Sequence, residues 1–154
     1  AVPGATFLID YAHNGMSLTS ALTELRAYQP KRLICIFGTV GGRTQERRKE
    51  LAEAASRCAD YSIITSDNPN FEDPDAIIAE IVSHMDENAL YTTISDRNEA
   101  VRFAVRLAEE GDILLFAGKG HETYQLIDGK KIPFSERAII LDESAKIQER
   151  MYIM

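Results

Sequence analysis

Short apolar runs alternate with amphipathic helical patterns along this chain, and that alternation restricts the fold more than any other feature. Apolar runs typical of strands cover residues 5–10, 33–37, 60–65, 90–94 and 113–117. Between them, apolar residues recur at helical spacing, as in the pattern Leu18, Ala21, Leu22 and Leu25. Strands that are each followed by a helix form parallel sheets covered on both faces. The sequence therefore predicts an α/β protein with one Rossmann-like, doubly wound and mainly parallel sheet.

Capping and turn residues mark the ends of these elements. Helix starts are predicted at Asn14 or Ser17, Thr44, Asp73-Pro74 and Asp96. After the fifth strand, residues 124–127 and 131–134 flank Asp128-Gly129, which is the pattern of a β-hairpin. We expect this C-terminal antiparallel hairpin to add an edge to the sheet, and a last helix to follow from about Ser135.

Charge and composition argue against several classes of protein. The 154 residues carry a net charge of −7, which disfavours a general nucleic-acid or anionic-membrane binder. No apolar run approaches the roughly 20 residues of a membrane-spanning helix, and no basic, apolar leader is present. Cys35 and Cys58 lie in apolar patterns, so we expect reduced core thiols. The expectation is one domain over residues 1–154, located in the cytoplasm.

Polar clusters follow four of the predicted strands. They are Asp10 with His13, Gly41-Gly42-Arg43, Asp67-Asn68-Pro69-Asn70, and Gly118-Lys119-Gly120-His121-Glu122. In a doubly wound sheet these strand ends lie along one edge, where ligands bind. Each cluster alone can be an ordinary turn or cap, and a single histidine is more often structural than catalytic. Their coincidence at one edge predicts a binding site.

The side chains of these clusters suit a zwitterion. Arg43 can hold a carboxylate or a phosphate through two hydrogen bonds. Asp67 and Glu122 can accept from an ammonium group, whereas Asn68 and Asn70 can bond to either kind of group. The two glycines of the last cluster can turn the backbone and point N–H groups at an anion. We expect an amino acid here, next to an anionic nucleotide.

Several motifs are missing from the sequence. The loop of residues 38–44 does not match the P-loop pattern, and no P-loop occurs elsewhere in the chain. The strand–G-x-G-x-x-G–helix fingerprint of dinucleotide-binding proteins does not occur either. The two cysteines lack metal-ligand spacing. The residues themselves therefore predict no metal site, no catalytic group and no cradle for a triphosphate with Mg²⁺.

Five segments in a fixed order carry a resemblance to a known family. They are Asp10-Tyr11-Ala12-His13, Gly41-Gly42-Arg43, Ser66-Asp67-Asn68-Pro69, Asp96-Arg97, and the run from Gly118 to Gln125. Over nearly its whole length the chain resembles the C-terminal domain of the Mur ligases, of the MurE type (UDP-N-acetylmuramoyl-tripeptide synthetases). The resemblance implies an ATP-dependent ligase of cytoplasmic peptidoglycan precursor synthesis. Such enzymes join an amino acid to the D-glutamate of UDP-N-acetylmuramoyl-L-alanyl-D-glutamate, through an acyl phosphate that the amine attacks.

The resemblance also implies roles for the clustered residues. The positions that match amino-acid contacts are Arg43, Asn68, Asn70, Gly118 and Glu122, with Asp67 beside them. Those that match the nucleotide-facing segment are Asp10 and His13, and those that support the loop are Lys119, Gly120 and His121. ATP and Mg²⁺ would be bound mainly by a central domain and the UDP-sugar by an N-terminal domain, both outside these 154 residues. We therefore expect the isolated domain to be inactive.

Asn70 departs from one branch of that family. Enzymes that add meso-diaminopimelate carry an arginine at this position, where it binds the distal carboxylate. A neutral amide would leave that buried charge unpaired, which is costly. L-lysine is therefore favoured, with Asp67, Glu72 or Asp73 near its side-chain ammonium. Meso-diaminopimelate stays open as the alternative, because Asn68 or a lysine from elsewhere in the full enzyme could receive its second carboxylate. Two other interpretations stay open: the C-terminal domain of a related ligase such as a folylpolyglutamate synthase, and a stand-alone nucleotide- or amino-acid-binding module.

Overall fold

The computed structural model describes residues 4–42 and 45–153, the last three of these by their backbone only. Five strands form the main sheet: β1 (Thr6–Asp10), β2 (Leu33–Phe37), β3 (Tyr61–Ile64), β4 (Tyr91–Thr93) and β5 (Ile113–Ala117). Five helices accompany them: α1 (Gly15–Arg26), α2 (Gln45–Cys58), α3 (Pro74–Ser83), α4 (Arg97–Leu107) and α5 (Glu136–Ile153). Arg43 and the predicted cap Thr44 lie outside the described residues.

The main sheet is entirely parallel, with the strand order β1-β5-β2-β3-β4. Thr6 and Leu33 both pair with Ile113, which places β5 between the first two strands of the chain. Every residue of β2 and β5 is buried, as an unbroken apolar run predicts for a strand covered on both faces. The predicted α/β, doubly wound architecture is confirmed.

Two apolar cores lie on the two faces of the sheet. Alternate residues of a strand point to opposite faces, so Cys35 belongs to the core under α1, α2 and α3, and Ile36 to the core under α4 and α5. Helix α1 contributes Leu18 and Leu22 to the first core. Helix α4 contributes Val101 and other small apolar residues to the second. The helical spacing seen in the sequence is therefore the spacing of buried residues.

Side chains cap three of the helices where the sequence predicts helix starts. Asn14 accepts from the backbone N–H of Ser17 over 2.8 Å, and Ser17 Oγ lies 3.3 Å from the N–H of Asn14, which completes a capping box. Asp73 and Asp96 each accept from the second backbone N–H that follows them, over 3.0 Å. These caps fix where α1, α3 and α4 begin.

The hairpin consists of β6 (Tyr124–Ile127) and β7 (Lys130–Pro133), which form a separate two-stranded antiparallel sheet. Asp128 and Gly129 both have positive φ values, 51° and 74°, as an Asp-Gly hairpin turn requires. The expectation that the hairpin adds an edge to the main sheet is wrong. Its backbone is instead held by the loop after β3, since Asn70 pairs with Ile127 in an isolated parallel bridge.

Both cysteines are free thiols, as predicted. Burial raises the pKa of the Cys35 thiol to about 12, so it stays protonated and acts as a small apolar core residue. Among the described helices, none combines the length and apolarity needed to cross a membrane.

Candidate functional site

A cavity of about 260 Å³ opens at the carboxyl ends of the parallel strands, where the sequence predicts a ligand site. Ten residues from five segments line it: Tyr11, His13, Gly38, Thr39, Val40, Arg47, Asp67, Asn68, Gly118 and Glu122. Five of these belong to the predicted set: His13, Asp67, Asn68, Gly118 and Glu122. The structure therefore brings the loops after β1, β2, β3 and β5 together around one small space.

Lys119 lies beneath this cavity and is wholly buried. Its Nζ donates to Asn68 Oδ1 over 2.9 Å and lies 3.5 Å from Asp67 Oδ1 and 3.9 Å from Glu122 Oε1. Burial lowers the pKa of Lys119, and the two carboxylates oppose that shift. The lysine is thus an internal cation that contacts three of the cavity residues, consistent with a supporting role for the loop.

The amide of Asn68 has a fixed orientation. Its Oδ1 accepts from both Lys119 Nζ and the backbone N–H of Leu126, over 2.9 and 3.0 Å. Its Nδ2 therefore points the other way and lies 3.5 Å from Glu122 Oε2. From the sequence, Asn68 could either donate to a ligand or accept from it. Because its oxygen already accepts two hydrogen bonds, only its N–H groups are left for a ligand, and a carboxylate can accept from them.

Asp67 presents a buried carboxylate to the same cavity. It is 3% exposed, and its Oδ1 has no hydrogen-bond partner in the described part of the chain, the contact with Lys119 being an ion pair at 3.5 Å. Gln125 Nε2 donates to the backbone oxygen of Asp67 over 2.7 Å, which holds the loop in place. With Glu122, two carboxylates face the ammonium group of Lys119, and the positively charged Arg47 also lines the cavity. Both carboxylates can accept hydrogen bonds from a ligand.

The glycines of the last cluster are required by close approaches. Gly118 has φ +107°, and a Cβ there would lie 2.8 Å from Asp67 Oδ2. Gly120 has φ +54°, and a Cβ there would lie 2.4 Å from the ring of Tyr11. The prediction that these N–H groups point at an anion is wrong for Gly118, whose N–H donates to the backbone oxygen of Asp10 over 3.0 Å.

Tyr11 is the contact that three predicted site residues share: His13, His121 and Asp10. The ring of His121 contacts the ring of Tyr11 edge to face at 5.8 Å, and His13 Nδ1 lies 2.9 Å from the Tyr11 backbone oxygen. Asp10 Oδ1 accepts from the N–H of Tyr11 over 2.7 Å. Its side chain lines a larger groove of about 1220 Å³ along α1 and α2, so it is not brought into the small cavity.

Asn70 lies apart from the small cavity. It has φ +51°, and its Oδ1 accepts from the N–H of Gly129 over 2.8 Å, so its side chain fastens the hairpin turn. It lines a neighbouring cavity of about 620 Å³. The carboxylates around that cavity are those of Glu72, Asp73, Asp96 and Asp128, and none of the described residues that line it is a lysine or an arginine.

Two arginines near the site were not among the predicted site residues. Arg47 lines the small cavity and donates from Nη1 to the backbone oxygen of His13 over 3.0 Å. Arg97 is wholly buried behind the cavity. Arg47 belongs to the charged run at the start of α2, which is indistinguishable from a solvated helix face by pattern. The sequence signal that could have indicated Arg47 is its position a few residues after the predicted Arg43, close to the end of β2.

Metal binding does not fit the described part of the site. No group of His, Cys, Asp and Glu residues within it has the arrangement of a metal site. Asp67 and Glu122 share the buried ammonium of Lys119, which repels a dication.

A parallel doubly wound sheet with a polar cavity at its carboxyl edge is the architecture of a Rossmann-like domain. The chain belongs to the family described as Mur ligase, glutamate ligase domain, whose model matches residues 1–120. The predicted Mur ligase C-terminal domain of the MurE type is thereby confirmed, because its similar relatives are enzymes of that type. Members of this family are ligases.

The UDP-N-acetylmuramoyl-L-alanyl-D-glutamate–2,6-diaminopimelate ligase of Syntrophomonas wolfei is 45% identical over 134 residues, which are 86% of this chain and 27% of that enzyme. A solved structure of a ligase with the same activity in its name has a TM-score of 0.92 and 34% identity, over 96% of this chain and 31% of that one. The MurF ligase of Thermotoga maritima in complex with ADP shares the fold, with a TM-score of 0.53 and 16% identity, over 98% of this chain and 30% of that one. The chain thus spans less than a third of the length of these relatives.

Proposed function

We propose that this chain is the amino-acid-binding domain of a MurE-type ligase that extends UDP-N-acetylmuramoyl-L-alanyl-D-glutamate in ATP-dependent peptide-bond formation. The observation that carries the proposal is the cluster of Asp67, Asn68 and Glu122 around the buried Lys119. It offers an amide donor and two carboxylate acceptors in one cavity, which the positively charged Arg47 also lines. That combination recognises the carboxylate and the ammonium group of an amino acid together.

The size of the cavity supports a small ligand. Cavities for drug-sized ligands usually measure about 300–1,000 Å³, and this one, at about 260 Å³, suits an amino acid better than a nucleotide. In the proposed complex Glu122 and Asp67 accept from the ammonium group, and Asn68 Nδ2 donates to the carboxylate. Arg43, which follows the loop after β2, is proposed as the second partner of that carboxylate.

Other domains of the ligase complete the reaction in this proposal. ATP supplies the phosphoryl group that activates the glutamate carboxylate, and the MurF ligase of the same fold was solved with ADP. The domains that bind the nucleotide with Mg²⁺ and the UDP-sugar are proposed to lie in the remaining length of the enzyme. Asp10 and His13 would face the nucleotide from this domain. We place the reaction in the cytoplasm, which agrees with the free thiols of Cys35 and Cys58.

The amino acid that we propose is L-lysine, and Asn70 is the reason. The cavity beside Asn70 is lined by carboxylates and, among the described residues, by no cation. Glu72 is already paired with Arg48, so the unbalanced charge comes from Asp73, Asp96 and Asp128. A side-chain ammonium is stabilised in such surroundings, whereas the distal carboxylate of diaminopimelate is repelled. On this point the proposal differs from the named substrate of the similar ligases.

The test is a competition assay with the full-length ligase that contains this domain. UDP-N-acetylmuramoyl-L-alanyl-D-glutamate and ATP are supplied with L-lysine and meso-diaminopimelate at equal concentration, and the products are identified by mass. ADP release with incorporation of either amino acid supports the ligase function, and preference for lysine supports the role of Asn70. Incorporation of diaminopimelate alone contradicts the lysine proposal. Amino-acid binding without any ligation would favour the stand-alone binding module.

Asn70 needs a matched pair of variants, because it also fastens the hairpin. Asn70→Arg brings a cation but loses the acceptor for the N–H of Gly129 and strains a residue with positive φ. Asn70→Asp keeps a carboxyl oxygen for that N–H and tolerates the same backbone conformation, without adding a cation. A shift towards diaminopimelate in Asn70→Arg, with lysine preference retained in Asn70→Asp, is the expected result.

A further inference from the structure

Arg97 lies at the first residue of α4, is 0% exposed, and uses its guanidinium group on three partners. Its Nε and Nη2 donate to Glu136 Oε1 over 3.0 and 2.7 Å. Its Nη1 donates to the backbone oxygen of Ser66 over 3.2 Å, and its Nη2 to that of Ala117 over 3.1 Å. One buried side chain therefore connects α5 with the loop after β3 and the end of β5.

The two carbonyl groups that Arg97 contacts belong to the peptide bonds that lead into the cavity. A peptide unit is planar, so fixing the carbonyl of one residue also fixes the N–H of the next. The next residues are Asp67 and Gly118, which both line the small cavity and approach each other closely, since a Cβ on Gly118 would lie 2.8 Å from Asp67 Oδ2. Strand β2 lies between β3 and β5 in the sheet. Arg97 thus spans a strand and ties together two cavity walls that do not pair directly.

Stability alone does not account for this arrangement. A positive charge at a helix N-terminus opposes the helix dipole, and buried ion pairs are often no more stabilising than apolar residues of similar volume. The pair is also incompletely satisfied, because Glu136 Oε2 has no hydrogen-bond partner within the described chain. What the pair does supply is a fixed, forked donor aimed at two defined carbonyl oxygens.

We propose that Arg97, held by Glu136, is a positioning residue that sets the separation of Asp67 and Gly118 and thereby the affinity of the ligase for its amino acid. This inference rests on the proposed function. Arg97 does not touch the cavity, so its effect passes through the two peptide units. Its loss should weaken amino-acid binding and leave nucleotide binding nearly unchanged.

The main variant is Arg97→Met combined with Glu136→Leu, which removes both charges and avoids leaving one of them buried alone. In the full-length ligase we expect the KM for the amino acid to rise about tenfold or more, with the KM for ATP changed less than about twofold. Arg97→Lys should recover part of the loss, because an ammonium group keeps the charge but lacks the fork.

The control is Arg102→Met. Arg102 lies on the same helix and also reaches α5, through Asp142 at 2.7 Å and Glu143 at 3.3 Å, but it contacts no residue of the cavity. We expect it to lower Tm without a selective effect on the amino-acid KM. An equal rise of that KM in Arg102→Met would overturn the proposal, since loosening α5 alone would then suffice.

A second measurement does not depend on catalysis. In ¹H–¹⁵N spectra of the chain without ligand, the amide signals of Asp67 and Gly118 should shift in the double variant and stay in place in Arg102→Met. Unchanged signals, or an unchanged amino-acid KM in a folded double variant, would refute the role of Arg97. If the parent ligase joins neither amino acid, the proposed function fails, while shifted amide signals still support the positioning of the two peptides.

Discussion

The buried Nζ of Lys119 donates to Asn68 Oδ1 over 2.9 Å, and this bond decides which face of the Asn68 amide a ligand meets. Since the oxygen is occupied from below, the N–H groups of Asn68 are directed towards Glu122. Lys119 also compensates part of the charge of Asp67. One cation therefore orients the donor of the cavity and limits the charge of its acceptors.

Lys119→Met should strongly destabilise the chain. Removing one partner of a buried ion pair leaves the others uncompensated, which costs roughly 3–5 kcal/mol. The matched control is Lys31→Met, because Lys31 forms an exposed pair with Glu109 at 2.8 Å and such pairs contribute little. Urea denaturation of both variants measures the difference. Equal, small effects would mean that Lys119 is not the internal cation described above.

Glu122→Gln should affect amino-acid binding first. A hydrogen bond to a charged group is worth about 1.5–3 kcal/mol, so we expect the KM of the full-length ligase for the amino acid to rise by about an order of magnitude. The KM for ATP should change little, and the same pattern is expected for Arg43→Met. Glu109→Gln, at the opposite end of the sheet, is the control. A parallel rise of both KM values with a lower Tm would instead indicate a structural role.

Two glycines of the loop after β2 are required for different reasons: Gly38 for lack of space, and Gly42 for its backbone conformation. A Cβ on Gly38 would lie 2.1 Å from the backbone oxygen of Thr65, so Gly38→Ala must displace a neighbouring strand end and should cost about 1–3 kcal/mol or more. Gly42 has open space around it but φ +75°, so Gly42→Ala should cost only about 1–2 kcal/mol, from backbone strain. Denaturation midpoints measure both. The reverse order would contradict the close approach at Gly38.

Glu72 should give the same loop a pH dependence. The N–H of Gly42, followed by Arg48, lowers the pKa of Glu72 below its ordinary value of 4.5. A carboxyl group with a lowered pKa stabilises the folded state fully above its unfolded pKa, and this contribution is lost as the pH falls through the folded pKa. The amide signal of Gly42 should therefore titrate with a midpoint below pH 4.5, and Glu72→Gln should abolish that titration. A midpoint at or above the ordinary value would show that the tether contributes nothing.

The strands could be predicted from the sequence because each of the buried ones is a continuous apolar run. The bounds of β2 and β5 follow from unbroken apolar runs that only a sheet buried on both faces can cover, and the polar residues after them marked the edge with the cavity. Lys119 was predictable as a loop residue but not as an internal cation. Its burial depends on contacts with Asp67 and Glu122, which lie in two separate segments. A local sequence pattern does not reveal such contacts.

Two further features lay beyond local patterns for the same reason. An antiparallel hairpin is visible in residues 124–133, but whether it joins the main sheet depends on Asn70 and its loop, which hold the hairpin away from both edge strands. Arg97 belongs to the Asp96-Arg97 segment that carries the family resemblance, but no pattern in the sequence indicates that its side chain is buried. Its burial becomes apparent only when Glu136 and two strand ends are placed around it.

Because β5 lies between β1 and β2, the main sheet cannot be completed until β5 has been synthesised. Of the strands in this sheet, β1 is made first, yet its partner, from Ile113 to Ala117, is made last. Pairings between segments so distant in the chain form slowly and late. Until β5 arrives, the oxygen of Asp10 lacks the N–H of Gly118, and the segments that become the cavity walls remain apart. A nascent chain can therefore form the small cavity only after β5 has been translated.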